Sequence, residues 1–163
     1  MNTPTHLAAG VVVAQAVLRL KCPRIVAGGL GVVAGALSHL ALDAVPHYNW
    51  IVYLSWFRGL PFHWLIREAV FALPVVAVAV WLGRDRWGLT GLALCGSLYP
   101  DFEKVAYVDF HIPRQLVIFR AHSLQLSSHT CGWPRPALVG LEVAMLAALL
   151  VVAFWLARRQ QFA

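Results

Sequence analysis

The sequence predicts an all-α, polytopic membrane protein, a single domain over residues 1–163 with about five transmembrane helices and an outward-facing interfacial loop. Three observations predict this class. Hydrophobic residues make up 60% of the chain and charged residues only 12%. Mean hydropathy is +0.70, more apolar surface than a soluble domain of this length has interior to hide. The apolar residues also fall into five runs whose ends carry proline, glycine or basic residues.

The first run extends from about Pro4 to Leu20, with Thr3 as N-cap and Pro4 at the first helical position, where its missing N–H costs nothing. It follows no basic n-region and contains no A-x-A cleavage pattern, so it reads as a mature helix rather than a signal peptide. The second run, Ile25 to Val45, is closed by Pro46. The third, roughly Phe62 to Gly83, contains Pro74, which predicts a kink. The fourth, Trp87 to Tyr99, is short and ends at Pro100. The fifth, Ala137 to Ala157, is interrupted only by Glu142 and is the clearest span. Residues 101–136 mix polar and aromatic side chains and read as an interfacial loop with short helical pieces. Trp50, Trp56, Trp64 and Trp133 fit an outer aromatic belt. Cys22, Cys95 and Cys131 have neither C-x-x-C spacing nor the density of a disulfide framework.

The net charge of +6 is a matter of topology and does not point to nucleic acid. One set of helix ends carries Arg19, Lys21, Arg24, Arg84, Arg86, Arg158 and Arg159, with Asp85 its single acid. The positive-inside rule makes this the cytoplasmic side, with the N-terminus outside and the C-terminus in the cytoplasm. Counted up from those ends at about 1.5 Å per residue, His6, His39, Asp43, Glu68, Asp101 and Glu142 all land roughly 20–27 Å into the membrane. Each of the five helices thus offers a titratable side chain to one layer, which is where a functional site is expected.

The chemistry of that layer centres on "SHLALDAVPH". His39 and Asp43 are four residues apart and share a helix face, and His47, beyond Pro46, can fold back over them. Imidazole with carboxylate and no thiolate suits a divalent metal, zinc first and manganese or iron as alternatives. His6, His39, Asp43, His47, Asp101, His122 and His129 are the candidate ligands, enough for two ions. Glu103 or Glu68 is placed to act as general base or to orient a ligand, although Glu68 beside Arg67 also reads as half of an ion pair. Each histidine and carboxylate has a plainer alternative as a hydrogen-bonded link between helices, and Asp101 as a helix N-cap.

"TPTHLAAG", "SHLALDAVPHYNW", "GSLYPDFEK" and "FRAHSLQLSSH" together resemble the small bacterial integral-membrane metal-dependent hydrolases, a group similar in motif style to zinc phospholipase C. The four motifs run from residue 3 to residue 129. The resemblance implies metal-ligand roles for His6, His39, Asp43, Asp101, His122 and His129, and a hydrolase acting on a phosphoester or lipid-like small molecule. The sequence departs from the pattern at Lys104, where a further histidine is expected, and at Arg120, where a proline is expected. Two other functions fit the composition. One is a cofactor-binding or accessory subunit of a larger membrane assembly, with histidines as axial ligands to a porphyrin. The other is a structural membrane protein with a degenerate site. In every case membrane lipids are the surroundings, and association with other membrane proteins is open.

Overall fold

The computed structural model describes residues 1–56, 59–60, 63–84, 86–120 and 131–160. They form five α-helices: α1 (Thr3–Val17), α2 (Arg24–Asp43), α3 (His63–Leu82), α4 (Trp87–Val108) and α5 (Arg135–Gln160). Short 3-10 turns occupy Leu18–Leu20, Trp50–Tyr53 and Arg114–Leu116, and there is no strand among the described residues.

Five helices are present, but the expectation of five spans is corrected to three. Only α2, α3 and α5 are both long enough and apolar enough to cross a membrane. At 15 residues α1 rises about 22 Å, short of a hydrocarbon core of about 30 Å. α4 has the length, with 22 residues, but its C-terminal half carries Asp101, Glu103 and Lys104.

The short helix is the axis of the molecule. α1 packs against α2, α3, α4 and α5, and its buried residues include Pro4 through Val11 without a break. Small side chains at Ala8, Ala9, Gly10 and Ala14 let four neighbours close around it. Leu7 and Ala8 meet Ala72 and Val75 of α3, and lower down Val11 meets Ala79 of α3 and Ala153 of α5. A helix enclosed by protein does not have to match the bilayer with its own length. The outer helices show the opposite pattern: Ile25, Leu37, Leu73, Val80, Trp81 and Val151 are all exposed, as an exterior facing acyl chains requires.

Two of the sequence boundaries move. α4 does not end at Pro100; it continues for a further two turns to Val108. α3 likewise runs on through Pro74. Each proline removes one backbone hydrogen bond, and membrane helices tolerate the loss when neighbouring helices pack against the freed carbonyl. Of the expected loop 101–136, the first part is therefore helix, residues 121–130 lie outside the described residues, and Arg135 already begins α5. In the proposed belt, Trp50 packs edge-on and Trp56 stacks face-on against Phe71, with ring centroids 5.3 and 5.8 Å apart.

The basic helix ends do gather at one end of the bundle. Arg19 donates to the Leu156 carbonyl at 2.8 Å, and Arg19 and Arg159 both lie over the Trp155 ring. The turn between α1 and α2 and the last turns of α5 therefore share one level, and the start of α1 lies at the other.

Candidate metal centre

Three helices meet at the end of the bundle opposite the basic helix ends. α2 and α4 come together through glycine. A Cβ on Gly35 would stand 2.9 Å from the Ser97 amide nitrogen, and one on Gly96 would stand 2.8 Å from Val32 Cα. Only residues without a side chain permit that approach. α1 joins at Gly10, where a Cβ would meet Ser97 Oγ at 2.7 Å. This close packing places His39 one turn above the contact, where its Nδ1 donates to the Ser97 carbonyl at 2.6 Å.

Asp43 is the hub. His6 Nε2 lies 3.2 Å from Asp43 Oδ1, His39 Nε2 lies 3.3 Å from Oδ2, and His47 Nε2 lies 3.9 Å from Oδ1. His39 Nε2 is also 3.6 Å from Asp101 Oδ1 on α4. The Met1 amino group donates to Asp43 Oδ1 at 2.5 Å. His6 and His39 are fully buried, with their rings stacked 3.7 Å apart. The side chain of Asp43 is 12% exposed and that of Asp101 35%, so the cluster opens towards Asp101.

The histidine tautomers follow from these contacts. A backbone carbonyl only accepts, so His39 Nδ1 carries a proton against Ser97, and His47 Nδ1 carries one against the Val45 carbonyl at 2.8 Å. In the neutral ring that leaves the Nε2 lone pair of each facing the same carboxylate. This is how ligating imidazoles are held in protein metal sites. Neither ring nitrogen of His6 makes a well-formed hydrogen bond, although both are buried. One atom from each of His6, His39 and Asp43 falls within a mutual separation of 4.8 Å, so the three could hold a metal ion. Each buried histidine approaches a different oxygen of the Asp43 carboxylate, His6 at Oδ1 and His39 at Oδ2.

The other expected site residues are elsewhere or take other partners. Glu68 of α3 accepts a hydrogen bond from the Thr3 amide at 3.0 Å. Arg67 donates through Nε to the His63 carbonyl of its own helix, and no ion pair joins it to Glu68 among the described residues. Glu142 of α5 accepts from the Asn2 amide at 2.6 Å, the Asn2 side chain and the Thr5 hydroxyl at 3.2 Å. The first turn of a helix has amide donors without intrahelical partners and a partial positive charge. Two buried carboxylates from α3 and α5 satisfy it here, in an environment that has no water to do so. Glu103 is buried and accepts from the Phe119 amide at 2.7 Å, tying the chain beyond α4 back onto that helix. His122 and His129 lie outside the described residues.

Sequence reasoning missed the Ser97 and Val45 carbonyls, the Met1 amino group, Asn2 and Thr5. The signal for Ser97 was present as the glycines of "GLGVVAG" and "CGS", small residues at helix-packing spacing. Asn2 and Thr5 flank Pro4 as polar residues at a helix start, and their partners are too distant in the chain to read from spacing. No protein-family model matches the chain, and neither a curated protein nor a solved structure shows significant similarity to it.

Proposed function

We propose that the protein is a membrane-embedded, metal-dependent hydrolase acting on a phosphoester or lipid-like substrate, with its His/Asp site near the outer face of a bacterial inner membrane. The observation that carries the reading is the pair of buried histidines on one carboxylate. His39 holds its Nδ1 proton on the Ser97 carbonyl and turns Nε2 to Asp43, and both ring nitrogens of His6 are buried without a well-formed hydrogen bond among the described residues. A packing device would satisfy its own polar atoms, because an unpaired buried group costs about 1–3 kcal/mol.

His6, His39 and Asp43 would hold the ion, with His47 and Asp101 at its edge. Zinc suits this donor set best, with manganese or iron as alternatives. The ion would supply Lewis acidity towards a phosphoryl or acyl oxygen and acidify a bound water. The protein's own part is orientation and access. Ser97 and Val45 fix two imidazoles, Glu68 and Glu142 fix the start of α1 and so His6, and the partly exposed Asp101 lies where substrate enters. Asp101 is the carboxylate best placed to take a proton from an attacking water, since Glu68 and Glu103 are already engaged by backbone amides. The ring stacking favours this reading over axial porphyrin ligation, because rings 3.7 Å apart leave no room for a macrocycle between them.

The test is elemental analysis and turnover on protein purified in mild detergent without chelator. About one divalent transition metal per chain is expected, together with hydrolysis of a phosphodiester or phospholipid that stops on chelation and returns with zinc. A metal-free sample that takes up none of the three ions would overturn the proposal. Topology is checked separately: a cytoplasmic reporter fused after Ala163 should be active, and inactivity would place the site on the cytoplasmic side.

A further inference from the structure

At the end of the bundle opposite the His/Asp cluster, a cavity of about 700 Å³ opens between the turn that joins α1 to α2 and the start of α4. Lys21, Arg24 and Arg86 line it, and no carboxylate does among the described residues. Among the described residues none of the three is in an ion pair. Two helices begin at this cavity, α2 at Arg24 and α4 at Trp87. Their N-caps, Pro23 and Arg86, make no side-chain capping bond. The first residues of α4, Arg24 at the start of α2 and the cationic side chains of Lys21 and Arg86 thus line one space, which suits a phosphate.

The rest of the wall is apolar. Gly28 and Leu92 close the floor, where a Cβ on the glycine would touch Leu92 Cδ1 at 3.0 Å. Leu92 also reaches the outside of the bundle at 45% exposure, and Trp87, in the same wall, is 77% exposed. A free anion would use the basic residues and leave this apolar rim uncovered. An amphiphile uses both, with its phosphate among the cations and its chains down the exposed α2 and α4 faces, and Trp87 is suited to the headgroup level.

We infer that this cavity binds the headgroup of an anionic phospholipid. The site is separate from the metal centre and does not depend on it. Membrane attachment by α2, α3 and α5 would orient the bundle, and a specifically held lipid would fix the depth and spacing of the α1–α2 turn and α4 start.

Native mass spectrometry tests this on the full chain in detergent with equimolar phosphatidylglycerol and phosphatidylcholine. Wild-type protein should retain the glycerol lipid at least tenfold over the choline lipid, and 10 mM inorganic phosphate should not remove the preference. The Lys21→Asn/Arg24→Gln/Arg86→Gln variant should lose it. An Arg114→Gln/Arg120→Gln/Arg135→Gln variant, which removes the same charge elsewhere, should keep it. Asparagine is chosen at Lys21 because that residue has φ 50, a left-handed conformation asparagine tolerates. Equal retention of both lipids by wild type overturns the inference, whether or not the triple variant folds. So does full displacement by phosphate, which would make this a site for the free anion.

Discussion

On the proposed metal reading, replacing Asp43 with alanine is expected to abolish binding of a divalent metal and to lower stability by about 3–5 kcal/mol, the usual cost of breaking a buried ionic contact from one side. The effect is large because one carboxylate serves His6, His39, His47 and the Met1 amino group at once. Altering even an outer partner of a metal ligand costs roughly 10–100-fold in affinity, and loss of a ligand itself should cost at least that. His63 provides the control. It is a histidine on α3 whose Nδ1 faces the Leu60 carbonyl, away from the cluster, and His63→Ala should keep its metal. Elemental analysis and a thermal melt on the two variants decide the matter. Full occupancy in Asp43→Ala would take the carboxylate out of the site.

Gly96→Val is expected to be as damaging without touching a ligand. A Cβ at residue 96 already conflicts with the Val32 backbone, and backbone cannot rotate out of the way as a side chain can. Overpacking a well-packed interior costs about 1–3 kcal/mol, and a clash with main chain belongs at or above the top of that range. Separating α2 from α4 would also pull Ser97 from His39, so metal affinity should fall with stability. Gly29→Ala tests whether the effect is local. Nothing lies within 4 Å of a Cβ at that position, so the change should leave metal binding intact. It should stabilise the helix by about 0.5–1 kcal/mol. Equal melting temperatures for Gly96→Val and wild type would mean that the helices do not touch there.

The part of the site carried on one helix was legible in the sequence. Four-residue spacing put His39 and Asp43 on one face, and the break at Pro46 allowed His47 to return to it; the structure places their Nε2 atoms 3.3 and 3.9 Å from Asp43. Depth counting also brought His6 and Asp101 to the right level, because rise per residue is the same in every helix. The counting could not tell which of the residues at one level face one another. Glu68 and Glu142 are at the level of the cluster, yet they turn to the amides of Thr3 and Asn2. Facing depends on packing, and packing here depends on glycines whose neighbours lie more than fifty residues away. The count of spans failed on boundaries instead: α1 closes at Val17, too short to cross, and α4 runs on past Pro100 and takes in Asp101, Glu103 and Lys104.

The position of α1 has a consequence for how the chain is made. α1 is made before the helices that satisfy its opening amides, Glu68 on α3 and Glu142 on α5. Until those arrive, a short segment holds donors that lipid cannot satisfy, and a histidine waits beside a carboxylate not yet fixed in place. Maturation of the His/Asp end must therefore wait for α3 and α5 before α1 is fixed. The segment that opens α1 stays unsettled while those helices are made, and an ion would be captured only after α5 has joined the bundle. A chain stopped at residue 134 should accordingly leave its first residues open to an externally added protease, and supplying α5 as a separate polypeptide should restore their protection.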